Sequence, residues 1–284
     1  MRRIERITQK TKKTAISILA WVALSLAIVW SMFPILFIFS SSLKEAKTIF
    51  AYPPSLVEKP TLKHYFSLYK EWPEFYDSIG NSLIITLSSV VFTLLICLPA
   101  AYGFSRYRSR FIRFTGRFLI WARMFPPIII TIPLYPIVYT LGLMDSHVVL
   151  ILLYSAFYLS IVAWILKSFL DNIPPELEES AYIEGCSQMR SFMMITLPLS
   201  TPGMVSGSIL VAIFCWKEFF FAFLFTTLNA KTSPVVLKEM LGSMFGVTWG
   251  PLFAATSLQL LPILIFIFLV QRFLFAGLAH SGDK

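Results

Sequence analysis

Residues 172–198 read NIPPELEESAYIEGCSQMRSFMMITLP, a polar and proline-marked stretch that lies between two long apolar runs. Pro174 and Pro175 suit the first turn of a helix, where a missing amide hydrogen has no partner to lose. The glutamates that follow favour the positive end of the helix dipole. The pattern therefore predicts a short helix over about 175–184.

A second short helix is predicted to follow Gly185, which stands where a helix-ending residue needs positive φ. Ser187 can cap this helix, and its apolar residues recur with helical spacing until Pro198 ends or kinks it. These residues are Met189, Phe192, Met193 and Thr196. Two short helices at a sharp angle, with one apolar face and an acidic end, suit a groove on another protein. The alternative is an ordinary solvated acidic loop.

Outward from this stretch the chain is mostly apolar. Of its 284 residues, 57% are hydrophobic and 14% are charged, whereas a soluble domain carries about 25% charge. Its mean hydropathy is +0.74. Runs of the roughly 20 residues that cross a bilayer lie at about 15–41, 82–102, 118–142, 147–168, 203–228 and 252–275. The sequence predicts an all-α membrane protein with six transmembrane helices.

The predicted organisation has three parts. A cytoplasmic N-terminal segment covers 1–14, a six-span transmembrane domain covers 15–275 with the loop at 171–199, and a cytoplasmic tail covers 276–284. The segments placed inside hold sixteen Lys and Arg residues and those placed outside hold seven. By the positive-inside rule, both termini are therefore cytoplasmic.

Composition and motifs disfavour several functional classes. The formal charge of +9 fits basic cytoplasmic loops, and no basic face interleaved with aromatics points to nucleic acid. The phosphate-binding loop Gly-x-x-x-x-Gly-Lys-Ser/Thr is absent from the sequence. The three cysteines and three histidines are scattered, which gives no metal spacing. We expect no enzyme activity and no cofactor in this chain, so any ATP must be bound by a partner.

The charged and small residues within the apolar runs can each be interpreted in more than one way. An unpaired charge such as Lys217 or Glu218 costs roughly 2.5–3.5 kcal/mol in a membrane. Either Glu218, Trp216 or both line a translocation path, or the charge lies near a helix end or pairs with another subunit. Arg123 is interpreted as reaching the membrane interface. The small-residue spacing of Gly203-x-x-x-Gly207 predicts close helix packing, within the chain or against a partner.

The loop resembles that of a known family. Glu179-Ser180-Ala181, three residues, Gly185, nine residues and Ile195-x-Leu197-Pro198 are similar to the Glu-Ala-Ala…Gly…Ile-x-Leu-Pro loop of permease subunits of binding-protein-dependent ABC importers. Other stretches resemble the carbohydrate-uptake branch and its shorter maltose-type permease: Ile49–Leu56, Asn81-Ser82-Leu83, Pro133-Leu134-Tyr135, Trp216-x-Glu218-Phe219 and Pro262 to Gly277-Leu278. Ser180, Glu184 and Cys186 depart from the usual residues but keep size or charge, whereas Lys217 replaces a frequent Asn.

The resemblance implies a permease in a prokaryotic cell membrane that translocates a sugar, oligosaccharide or related polyol delivered by an extracytoplasmic binding protein. It also implies membrane lipid, a second permease subunit and a cytoplasmic ATPase dimer, which holds ATP and Mg, as partners. Glu179 would be the charged contact to the ATPase, and Gly185 would let the two short helices meet closely. The implied coupling residues are Glu178, Glu179, Ser180, Ala181, Glu184, Gly185, Ile195, Leu197 and Pro198.

Three alternatives stay open. A secondary transporter would show internal repeats and broken helices around midplane sites, but no convincing repeat is visible, and the third run, with Pro126-Pro127, is the strongly interrupted one. An integral membrane enzyme would need clustered His, Asp or Glu at the membrane surface. Within the importer class, the solute could instead be glycerol phosphate.

Overall fold

The structure is a computed structural model that describes residues 2–53, 59–243 and 246–279. In these ranges every regular element is helical, which confirms the all-α prediction. Residues 54–56 of the Ile49–Leu56 stretch and 280–284 of the predicted tail lie outside the described residues. In chain order the elements are α1 Arg2–Leu43, α2 Lys63–Glu71, α3 Glu74–Arg106, α4 Arg110–Arg123, α5 Pro127–Thr140, α6 His147–Leu170, α7 Glu176–Ile183, α8 Gln188–Ser191, a π-helical turn Phe192–Thr196, α9 Leu197–Leu199, α10 Thr201–Trp216, α11 Phe220–Phe225, α12 Ser233–Leu241 and α13 Trp249–Ala279.

Helices long and apolar enough to cross a membrane account for four spans among the described residues. They are Ile16–Leu43, Glu74–Arg106, His147–Leu170 and Trp249–Leu269. Two further spans are bent helix pairs. The first, α4 with α5, bends by 97°, and the second, Gln188–Leu199 with α10, bends by 69°. Counting each pair as one span gives six, the predicted number, although the second pair covers 188–216 where the sequence predicted a span over 203–228.

The third span breaks at Pro126-Pro127, where the sequence shows its strongest interruption, whereas the break in the fifth run was not expected. Helix α4 ends at Arg123, and Pro126 takes an extended backbone before α5 begins at Pro127. Proline disfavours helix in the residue before it and donates no amide hydrogen bond, which explains this break. The run predicted over 203–228 divides at residues 217–219, between α10 and α11.

The residues group into two compact units, 1–72 with 244–258, and 73–243 with 259–284. In the first unit, the Ser42 and Tyr65 hydroxyl oxygens lie 2.9 Å apart. The ring of Phe50 meets Trp249 edge-on, with centroids 5.2 Å apart. The second unit contains every predicted coupling residue and both predicted path residues.

Close contact between α6 and α10 forms part of the core of the second unit. A Cβ at Gly203 would lie 2.8 Å from the Phe169 ring, and one at Gly207 would lie 3.1 Å from Val162 Cγ1. Val162 and nearby Leu166 on α6 are fully buried. The small-residue spacing therefore serves packing within this chain, which resolves the alternative that the sequence left open.

Candidate functional site

Helix α7 is held by an ion pair at one end of α3 and α6. Glu178 is 4% exposed, and its Oε1 lies 2.8 Å from Arg106 Nη2. The Tyr102 hydroxyl donates to Glu178 Oε2 at 2.7 Å. Arg106 also donates to the carbonyls of Leu170, at 3.2 Å, and Ile173, at 3.0 Å. One guanidinium thus ties α3, the end of α6 and α7 together.

The environment of Glu178 favours its ionised form. Burial alone would raise the pKa of this carboxyl group, but hydrogen bonds from Tyr102 and Arg106 outweigh burial and hold the pKa below its usual value. Glu178 was predicted as a coupling residue, and the structure turns its side chain inward. It therefore positions α7. Arg106 and Tyr102 were missed because they lie 72 and 76 residues from Glu178 in sequence, and no local pattern pairs them with the loop.

The opposite face of α7 is exposed, and we call it the α7 surface. Ile183 is 89% exposed, although it is a large apolar residue. Leu177 and Tyr182 are also exposed, as are the predicted contacts Glu179, Ser180 and Glu184, whereas Ala181 is buried against the chain. The α7 surface thus combines apolar side chains with two carboxylates.

Gly185 ends α7 in a left-handed turn, as the sequence predicts. Its φ is +87°, its amide donates to the Tyr182 carbonyl at 3.0 Å, and the Cys186 amide donates to the Ala181 carbonyl at 2.9 Å. This pair of bonds is the Schellman motif. The expectation that Gly185 lets two helices approach closely was wrong, because a Cβ there would meet nothing within 4 Å.

The second short helix begins as predicted. Ser187 Oγ accepts the Arg190 amide, and the helix continues through the π-helical turn, in which Phe192 meets the Tyr102 ring edge-on at 4.9 Å. Ile195 and Leu197 are half-buried and Pro198 is exposed, while Met189, Met193 and Met194 expose their side chains. The loop therefore presents an apolar, methionine-rich surface beside the α7 surface.

The structure gives Trp216 and Glu218 structural contacts. The Trp216 indole N–H donates to the Gln259 carbonyl at 3.1 Å, and its ring lines a cavity of about 360 Å³ whose other walls are apolar except for Thr86. Glu218 accepts the amides of Phe221, at 3.0 Å, and Ala222, at 3.3 Å, and so caps α11. Lys217 extends its ammonium group over the Phe214 ring, 5.0 Å from the centroid.

A carboxylate that the sequence did not single out organises the other end of α6. Asp145, with φ of 55°, accepts the backbone amides of residues 227–230 at 2.9–3.2 Å. Burial opposes ionisation of Asp145, but these amides outweigh it and hold its pKa well below the usual value. His147 Nε2 lies 2.8 Å from Asn81 Oδ1, and Asn81 donates to the Asn229 carbonyl. This network fixes the 226–231 segment against α3 and α6.

Comparison with known proteins agrees with this architecture. Residues 93–279 match the family described as "Binding-protein-dependent transport system inner membrane component". A "Probable ABC transporter permease protein YurM" of Bacillus subtilis is 32% identical, over 93% of this chain and 87% of that protein. A "Trehalose/maltose transport system permease protein MalG" of Thermococcus litoralis is 33% identical, over 89% and 91%. The fold is similar to a chain of a bacterial ABC transporter for alginate import, with a TM-score of 0.76 and 22% identity over 90% of this chain and 95% of that chain.

Proposed function

The chain belongs to the family of binding-protein-dependent transport system inner membrane components, and we propose that it imports a sugar, oligosaccharide or related polyol. It is a multi-pass membrane permease subunit of an ABC transporter. The carbohydrate assignment is supported by the Thermococcus litoralis relative, whose name specifies trehalose and maltose. The resemblance of the whole chain to the carbohydrate-uptake branch supports the same solute class.

The anchored α7 is the observation that carries the coupling role. Arg106 fixes α7 to two membrane helices through Glu178 and the carbonyls of the α6 end, so a push on α7 is transmitted to α3 and α6. The α7 surface, with exposed Ile183 and Glu179, has the apolar and charged chemistry of a helix that sits in a groove. We infer that this groove belongs to a cytoplasmic ATPase dimer, which holds ATP and Mg.

Charge supports an orientation with α7 and both termini in the cytoplasm. Arg106, which contacts α7, is followed along the chain by Arg108, Arg110 and Arg113, and the positive-inside rule favours this end for the cytoplasm. The Asp145 network lies at the opposite end of α6 and would face the extracytoplasmic binding protein. A second permease subunit would complete the membrane path.

The test is to copurify this chain with its partner subunits and its binding protein, and to titrate the binding protein calorimetrically against maltose, trehalose, a chitooligosaccharide, glucuronate and glycerol phosphate. We expect one carbohydrate to bind and to stimulate ATP hydrolysis by the reconstituted importer. Binding of glycerol phosphate alone would contradict the sugar assignment. Solute uptake that proceeds without ATP would contradict the coupling role.

A further inference from the structure

Arg123 places its guanidinium beside the middle of a helix that is long and apolar enough to cross a membrane. Helix α6 has 24 residues and is about 36 Å long, which exceeds the hydrocarbon thickness of about 30 Å. Phe157 and Ser160 lie near its centre. The Arg123 guanidinium lies over the Phe157 ring, 5.9 Å from the centroid. The guanidinium therefore meets the middle of α6 and neither of its ends, which disagrees with the expectation that Arg123 reaches the membrane interface.

The guanidinium has a donor without a partner. Arg123 Nη1 is buried and has no hydrogen-bond acceptor, and the hydroxyl of Ser160, a residue 7% exposed, also lacks a partner. None of the ion pairs found in the described ranges involves Arg123. Both side chains line one cavity of about 170 Å³, whose remaining walls, including Leu119, Ile130 and Phe221, are apolar.

Two breaks between helices, each within a run that the sequence predicts to cross the membrane, meet at this cavity. Arg123 directly precedes the break between α4 and α5, and Phe221, which contacts the Phe157 ring, follows the break between α10 and α11. Non-helical backbone at membrane depth is tolerated where it is buried in protein or lines a water-filled cavity. Glu218 lies three residues before Phe221, and its carboxylate accepts hydrogen bonds from the amides that start α11. The cavity thus has a positive charge and lies beside interrupted helices, which commonly form solute sites in transporters.

We propose that this cavity binds an oxyanion group of the translocated solute (carboxylate, sulfonate or phosphate), so that the importer takes an acidic sugar. A guanidinium and a hydroxyl are suited donors for such a group, because the planar guanidinium can donate two parallel hydrogen bonds to it. At about 170 Å³ the cavity is smaller than the roughly 300–1,000 Å³ of whole-ligand sites, which fits a charged group rather than an entire sugar. The inference rests on the proposed import function.

The experiment compares two probes that differ in one group, glucuronate and glucose, on the importer complex purified in neutral detergent. Thermal unfolding is followed against probe concentration at an ionic strength held constant with sodium chloride. We expect glucuronate, and not glucose, to raise the melting temperature of the wild type. Arg123→Gln should weaken the apparent affinity about tenfold or more, as loss of a charge-assisted hydrogen bond does, and Arg123→Lys should retain part of it.

Arg117→Gln is the matched control, because Arg117 lies on the same helix and is exposed. It should respond to glucuronate as the wild type does. An equal response of Arg123→Gln would overturn the proposal, as would loss of the partner subunits from both Arg123 variants, which would assign the guanidinium to assembly.

A lipid headgroup carries the same oxyanion chemistry, so the complex is also weighed by native mass spectrometry after exchange into phosphatidylglycerol or phosphatidylcholine. Retention of phosphatidylglycerol that depends on Arg123, without a response to glucuronate, would overturn the solute assignment. Hydrolysis of ATP stimulated by a neutral sugar, without glucuronate binding, would overturn this inference and leave the proposed import function intact.

Discussion

Glu178 and Glu179 are neighbours in sequence, but their carboxylates serve different purposes. Adjacent residues on a helix point about 100° apart, so only one of the two faces the chain. Glu178 is buried against Arg106 and Tyr102, and Glu179 is exposed on the α7 surface. At the residue scale, one glutamate positions the helix and the other is free to meet a partner.

The Glu178 pair predicts a pH-dependent loss of stability. Glu178→Ala would leave the guanidinium of Arg106, whose side chain is 13% exposed, without a counter-charge, and breaking a fully buried pair costs at most about 3–5 kcal/mol. Because the folded pKa of Glu178 lies below 4.5, its contribution is fully present above pH 4.5 and is lost as the pH falls through the folded value. At pH 7 the melting temperature of Glu178→Ala should lie well below that of the wild type, and this difference should shrink as the pH falls. Glu176→Ala, an exposed change on the same helix, should cost no more than the roughly 0.3–1 kcal/mol of its helix-dipole interaction, and equal losses in both variants would contradict the assignment.

Gly185 predicts a conformational requirement at the end of α7. With φ of +87°, a valine would cost about 1–2 kcal/mol, whereas asparagine tolerates this region better. Gly185→Val should release the ATPase from the purified complex or abolish its stimulation, and Gly185→Asn should do so less. Gly80→Ala is the control, since a Cβ there meets nothing within 4 Å. If valine and asparagine behave alike, the left-handed turn is not what coupling requires.

At the element scale, the α6–α10 contact predicts graded costs for added methyl groups. Gly203→Ala would place a Cβ 2.8 Å from the Phe169 ring, and Gly207→Ala would place one 3.1 Å from Val162. Overpacking of this kind typically costs about 1–3 kcal/mol, so Gly203→Ala should lower the melting temperature of the complex more than Gly207→Ala. Gly103→Ala has open space and should leave it unchanged. The reverse ranking would show that α6 and α10 do not meet at Gly203.

At the scale of the whole molecule, the sequence predicts short-range features such as helix ends and turns, but it does not predict contacts between residues that are distant along the chain. Helix α7, the Ser187 cap and the positive φ of Gly185 follow from short-range chemistry that residues 172–198 spell out. The Arg106–Glu178 pair joins residues 72 apart, and the depth of Arg123 depends on which part of α6 it meets. Neither follows from a hydropathy pattern, because periodicity identifies an apolar helix without identifying its neighbours.

The proposed topology predicts labelling of Cys186 from the cytoplasm. Cys97 and Cys215 are buried and Cys186 is partly exposed, so a membrane-impermeant thiol reagent should label Cys186 in lysed cells and miss it in intact cells. Cys186→Ser should remove the signal and so identify its source. Labelling of Cys186 in intact cells would place the loop outside and contradict the orientation.

The most direct test of the coupling role is ATP hydrolysis by the reconstituted importer with and without solute-loaded binding protein, in wild type, Glu179→Ala and Ile183→Ser. Both changes lie on the α7 surface and leave the Glu178 anchor in place. Loss of a charge-assisted contact should weaken ATPase docking by about tenfold or more, so we predict reduced ATPase copurification or hydrolysis that no longer responds to the loaded binding protein. Wild-type copurification together with wild-type stimulation in both variants would contradict the assignment of the α7 surface to ATPase coupling.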